Sequence, residues 1–169
     1  MPDSLTPQQR HDNMAAIRSK NTRPEIIVRQ YLWRNGFRFR LHDKKLPGRP
    51  DLVLPRYRTA IFVNGCFWHG HTDCPYFRLP KTNTDFWTAK IARNRARDAR
   101  NIALLHSQGW YTITVWECQL RRKDQRLSTL HFLESQLHYN LLISQNPSPN
   151  PYDLPDEPLT LASEPDNDL

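Results

Sequence analysis

The chain has 169 residues, with 24 Lys and Arg against 17 Asp and Glu, three cysteines and a formal charge of +7. That length suits one domain with its own core, and an odd cysteine count argues against a disulfide framework and for reduced thiols of the kind that bind metal. No apolar run reaches spanning length and residues 1–10 lack the apolar segment of a signal peptide, so a soluble, cytoplasmic, monomeric protein with no membrane role is expected.

The charge is unevenly spread. From residue 146 onwards there is no Lys or Arg, while six acids and six of the 14 prolines fall there. The rest of the chain carries 11 acids against 24 basic residues, a charge of +13. A body that basic suits a polyanion, because each phosphate it neutralises releases counterions. A merely solvated basic surface ranks second, since the basic residues are interleaved with Trp, Phe and Asn.

Residues 1–20 are polar and read as an arm that contacts phosphate, with a short helix over 13–18 and Arg18 and Lys20 exposed. Thr22-Arg23-Pro24-Glu25 has the form of a capping box with proline in the first turn. Ile26, Ile27, Tyr31 and Leu32 then give a helical apolar stripe that stops at Gly36. Residues 37–41 alternate like a strand, and a turn over 46–50 leads into a second strand at 51–54. Residues 60–63 are apolar on both sides, which predicts a central strand buried on both faces. Asp85-Phe86-Trp87 opens a long helix, apolar on one side and basic on the other, that ends before Gly109. The ordinary reading of its basic side is a solvated face. A strand over 110–116 delivers Cys118, and residues from about 127 to 142 form a closing helix. The tail at 146–169, acidic and proline-rich, is expected to be disordered. Together these elements predict an α/β fold with a central mixed sheet flanked by helices, a folded domain at 21–145 and two polar ends.

The densest chemistry lies in Asn64-Gly65-Cys66-Phe67-Trp68-His69-Gly70-His71-Thr72-Asp73-Cys74. Cys66, His71 and Cys74 are local, and Cys118 arrives from the end of another strand. This makes a Cys3His set suited to a tetrahedral, closed and therefore structural Zn²⁺ site. Buried thiols acting as small hydrophobes are the plainer alternative, and spacing alone leaves His69 as a competitor for the ligand place of His71. Pro50-Asp51, followed about a dozen residues later by an apolar strand, is the first half of a PD-(D/E)xK nuclease pattern, in which carboxylates hold Mg²⁺ against a phosphate. The second half is missing, because Val63, Asn64 and Gly65 stand where acid, any residue and lysine are expected. A nearby imidazole can replace the lysine as base.

Four motifs in this order and spacing, Leu46-Pro-Gly-Arg-Pro-Asp51, Gly65-Cys-Phe-Trp-His69, Phe86-Trp87 and Val115-Trp-Glu-Cys118, resemble the very-short-patch-repair (Vsr) mismatch endonucleases from about residue 13 to 142. The resemblance implies a PD-(D/E)xK restriction-endonuclease-like fold with a structural zinc. It also implies Mg²⁺-dependent nicking of double-stranded DNA on the 5′ side of the thymine in a T:G mismatch left by deamination of 5-methylcytosine. It assigns Asp51 and the main-chain carbonyl of Val63 to Mg²⁺, His69 to the general base, and Glu25 to orienting water around the metal. Cys66, His71, Cys74 and Cys118 fall on zinc ligands, with one residue more between His71 and Cys74 than in the family pattern. Asn64 stands where a member of the family has a histidine that helps catalysis; it can donate to a phosphate oxygen but cannot shuttle a proton. Phe67, Trp68 and Trp87 match aromatics that wedge between base pairs, where unstacking is cheapest at a mismatch. As core aromatics they would need no such role, and Trp116 is read as core. The implied associates are MutL and a DNA cytosine-5 methyltransferase. The alternatives are a related nicking nuclease with a restriction or defence role or wider mismatch tolerance, and a non-catalytic zinc-stabilised DNA-binding module.

Overall fold

The computed structural model describes Thr6, Gln8, Gln9, Asp12 and residues 20–145. The helix expected over 13–18 and the tail from 146 lie outside the described residues. Helix α1 (Arg23–Arg34) begins at the capping box: the Thr22 N–H and hydroxyl both donate to Glu25 Oε1, at 3.4 and 2.9 Å. It ends where the Phe37 N–H reaches Leu32 O (2.9 Å) and the Gly36 N–H reaches Trp33 O (3.1 Å), with Gly36 at φ +84°. This pair of bonds is a Schellman closure, and it places an apolar residue after the glycine against the last turn. Phe37 fills that place, buried with Leu32. The expected strand over 37–41 therefore shrinks to β1 (Arg40–Leu41), which pairs only with Val53 and Leu52.

Strand β2 (Leu52–Leu54) runs antiparallel to β3 (Thr59–Asn64), and β3 runs parallel to β4 (Tyr111–Trp116), so the sheet is mixed and four-stranded in the order β1-β2-β3-β4. Helix α2 (Thr84–Ser107) closes as α1 does, with Gly109 N–H to His106 O at 2.9 Å and Trp110 N–H to Leu105 O at 3.0 Å. Trp110 is thus the residue after a helix cap, and the last strand starts one place later than expected. Helix α3 (Lys123–Gln145) is longer at both ends than the leucine spacing predicts.

Alternation along the strands decides which helix covers which face. Leu52, Leu54, Ile61 and Val115 point to one face and meet Val28 and Leu32 of α1 and Leu130, Leu133 and Leu137 of α3 in one buried cluster. On the other face α2 lies across the sheet, where His106 Nε2 and Thr112 Oγ1 are 2.8 Å apart. Strand β3 is buried on both sides only over Thr59, Ala60 and Ile61. Its last three residues are half-buried, because β2 pairs with β3 only as far as Ile61 and the sheet opens beyond it. That opening positions the site. Asp51 sits just before β2, at the same end of the sheet as the carboxyl ends of β3 and β4, where α/β sheets commonly bind ligands.

Candidate active site and metal cluster

The loop after β3 folds back on itself through His69 N–H to Gly65 O (3.3 Å), Gly70 N–H to Phe67 O (3.3 Å) and His71 N–H to Cys66 O (3.0 Å). Gly70 separates the two histidines. Its φ is +58°, and a Cβ there would lie 2.6 Å from Ile91 Cγ2 and 3.0 Å from Arg95 Cδ, so a side chain fits only if α2 side chains shift. His69 and His71 leave this turn in different directions.

His71 goes to the cysteines. One donor atom each from Cys66, His71, Cys74 and Cys118 lie within 4.8 Å of one another, and Cys118 Sγ is 3.4 Å from His71 Nδ1. Metal–ligand lengths of about 2.0–2.3 Å in a tetrahedron require donor separations of roughly 3.5–3.8 Å, so the set fits a closed four-coordinate ion. Parallel pairing of Asn64 with Trp116 brings Cys66 and Cys118 to the same end of the sheet. Trp116, read as core, instead stacks on His71 with centroids 4.0 Å apart and planes 3° apart, and so fixes the ring. Burial pushes the Cys66 thiol up to about 12 and raises Cys118 as well. Burial also lowers His71, which favours the deprotonated ring a metal needs.

His69 goes to α2. Its Nδ1 lies 2.5 Å from Asp98 Oδ2, and the carboxylate, an acceptor only, fixes the proton on Nδ1 and leaves the Nε2 lone pair free. Partial burial acts to raise the Asp98 carboxyl, but the bond from His69, together with the bonds and charge of Arg97, holds it below the usual range. Asp98 escaped the sequence reading, although a signal was present: it is the single acid beyond the first turn of an otherwise basic helix.

Asp51 Oδ2 accepts the Val63 N–H at 2.7 Å. The N–H and C=O of one strand residue point to the same edge, so the Val63 carbonyl also turns toward Asp51. Burial raises the Asp51 carboxyl despite that bond, and the Glu25 charge adds to the rise. Glu25 itself is 2% exposed and accepts from Asn21 N, Thr22 N, Thr22 Oγ1 and Arg29 Nη2. Four donors exhaust the roughly four lone-pair sites of a carboxylate. Capping and the anchoring of Arg29 thus account for the contacts Glu25 makes here. Arg29 and His42 were missed, and no sequence pattern marks them.

Asp51, Val63, Asn64, Trp68, His69 and Asp98 all line one open cleft of about 890 Å³, with Lys20, Lys44, Arg49 and Arg97 among its walls. Beside it Phe67, Trp68 and Trp87 form a half-buried cluster of edge-on rings with centroids 5.2 to 6.0 Å apart. Lys90 lies 5.6 Å from the Trp87 ring and 5.7 Å from Trp68. Phe86, 53% exposed, extends the cluster outward. Among the described residues no helix is long and apolar enough to cross a membrane.

Residues 2–75 match the family model described as DNA mismatch endonuclease Vsr. The chain is 52% identical over 120 residues to the type II nicking enzyme V.XorIIP of Xanthomonas oryzae pv. oryzae, covering 71% of this chain and 88% of that protein. It is 46% identical over 123 residues to the type II nicking enzyme V.NmeAIP of Neisseria meningitidis serogroup A, covering 73% and 87%. Against the DNA mismatch endonuclease Vsr of Escherichia coli K12 the identity is 43% over 125 residues, covering 74% and 80%.

Proposed function

This chain belongs to the Vsr family of DNA mismatch endonucleases, and from that premise we propose that it nicks duplex DNA on the 5′ side of the thymine in a T:G mismatch. The observation that carries the proposal is the meeting of Asp51 and the Asp98–His69 pair on one cleft bordered by the aromatic cluster. The fold then reads as a PD-(D/E)xK variant in which the missing acid and lysine are replaced by a main-chain carbonyl and a histidine.

Asp51 Oδ1 and the Val63 carbonyl would hold Mg²⁺, which supplies charge neutralisation at the scissile phosphate and a more acidic bound water. His69, its Nδ1 proton fixed by Asp98, presents Nε2 to take the proton of the attacking water. Asn64 donates to a phosphate oxygen. Lys20, Lys44, Arg49 and Arg97 hold the backbone in the cleft. Phe67, Trp68 and Trp87 enter the stack beside the mismatch; opening a step costs a few kcal/mol, and stacking on a ring returns about 1–3 kcal/mol per base. Cys66, His71, Cys74 and Cys118 hold Zn²⁺, which pins the loop carrying His69 and the wedge. MutL and a cytosine-5 methyltransferase are the proposed associates.

Two of the three relatives named above are called type II nicking enzymes, which favours a second reading: a nicking nuclease of wider mismatch tolerance, or one with a restriction or defence role. Incubation with Mg²⁺ and matched, T:G and other mismatched duplexes, with the strands resolved, separates the two. Nicking of the T-strand in T:G alone supports the first, nicking across several mismatches supports the second, and intact strands throughout contradict both.

A further inference from the structure

Among the described residues β1 is an edge strand that pairs with β2 alone. His42 N–H donates to Asp51 O at 3.4 Å, one place beyond the pair of Leu41 with Leu52. Bonded and non-bonded pairs alternate along an antiparallel ladder, so Leu41 turns its own N–H and C=O away from β2, to the open side. Its side chain lies opposite Leu52 and therefore on the face that α1 covers. Trp33 of α1 stands there too, 58% exposed, with its ring 6.3 Å from Phe39 and the Arg38 guanidinium 4.2 Å above it. Leu41 is 44% exposed, and Ile26, seven residues before Trp33 on the same side of α1, is exposed as well. An apolar strip beside an unpaired strand edge invites another strand. Five exposed basic residues, Arg34, Arg38, Arg40, Lys44 and Lys45, border it against one acid, Asp43.

The chain itself holds a segment of matching kind. Six prolines divide residues 146–169, and the longest run without one is Leu159-Thr160-Leu161-Ala162-Ser163-Glu164. Extended, it would put Leu159 and Leu161 on one face. Asp153, Asp156 and Glu157 precede those leucines, Glu164, Asp166 and Asp168 follow them, and no Lys or Arg intervenes. Helix α3 leads toward the strip before it ends at Gln145: the His138 ring is 5.4 Å from that of Phe37, the residue before Arg38. The 13 residues 146–158, at about 3.1 Å each, reach roughly 40 Å, ample for a domain whose radius of gyration is about 14 Å. We propose that residues 159–163 add to the open edge of β1 as a further strand, with Leu159 and Leu161 on the strip of Trp33 and Leu41 and the flanking acids against the basic border. Main-chain bonds to Leu41 hold the segment, the leucines set its register, and the edge is closed to other chains.

Amide hydrogen exchange on the full chain without DNA tests this. In the wild type the Leu41 amide and amides within 159–163 should exchange about tenfold or more slower than in an unstructured chain, at a rate independent of protein concentration. Leu159→Ser/Leu161→Ser should release both sets together, and so should Trp33→Ser, whose exposed position leaves the core intact. Wild-type amides at 159–163 that exchange at the unstructured rate overturn the proposal. Protection of Leu41 that survives Leu159→Ser/Leu161→Ser overturns it too, by assigning the edge to a different segment. Protection that grows with concentration, alongside dimers in sedimentation, overturns it in favour of a second copy of the chain.

Discussion

The loop after β3 serves two regions that treat their polar groups in opposite ways. At the sulfur cluster every donor turns inward and faces the others within 4.8 Å. At the cleft, Asp51 and His69 each commit one side to a partner, the Val63 N–H and Asp98, and leave the other side open to the cleft. A closed donor set can hold the fold together but has no place for a reactant. A half-satisfied set can do chemistry, and the cost appears as a carboxyl that burial pushes upward. Gly70 lies between the two histidines, one of which meets Asp98 and the other the thiols.

The largest effect should come from breaking the closed region. Cys118→Ser removes a ligand, and loss of zinc should lower the melting temperature by more than about 10 °C and abolish nicking, because the loop bearing His69 loses its anchor. Acid should do the same reversibly. Thiols must be deprotonated to bind zinc, so protons compete with the metal and zinc should be released as pH falls; a chromogenic chelator follows the release.

Breaking the open region should leave the closed one intact. Asp51→Asn is expected to reduce nicking about 1,000-fold or more with one zinc retained. Its folded carboxyl lies above the unfolded value, so the folded state binds the proton more tightly and stability falls as pH rises from the unfolded to the folded pKa. Asparagine removes that loss. The melting temperature of the inactive variant should rise by about 2 °C at neutral pH.

Asp98→Asn should reduce nicking about 100-fold, with zinc again retained. Here the sign reverses. The folded carboxyl lies below the unfolded value, so the stability it contributes is present above the unfolded pKa and lost as pH falls through the folded one. A small drop in melting temperature that vanishes in acid is expected. The smallest effect belongs to Trp87→Ala, which should weaken binding to a T:G duplex about tenfold and to a matched duplex much less, measured by titration at fixed salt.

Much of this organisation was legible in the residues, and the places where it was not share causes. Both strands predicted to start too early begin with the apolar residue of a Schellman closure, Phe37 and Trp110, which alternation alone counts as strand. The central strand is buried on both faces for half its length, because the neighbour that covers it is only three residues long. At the site, Cys66, His71 and Cys74 could be read from spacing as candidate donors, whereas spacing did not say whether His69 or His71 would stand with the thiols. Asp98, Arg29 and His42 act through partners 13 to 29 residues away. Glu25 matched two patterns at once, and its four donors show that the capping pattern is formed.

The division of labour between His69 and His71 is the central claim, and zinc content tests it most directly. Purified His69→Ala should carry one zinc per chain and fail to nick a T:G duplex, while His71→Ala should lose the zinc. A His69→Ala protein that comes out without zinc, or a His71→Ala protein that keeps it, would contradict the account.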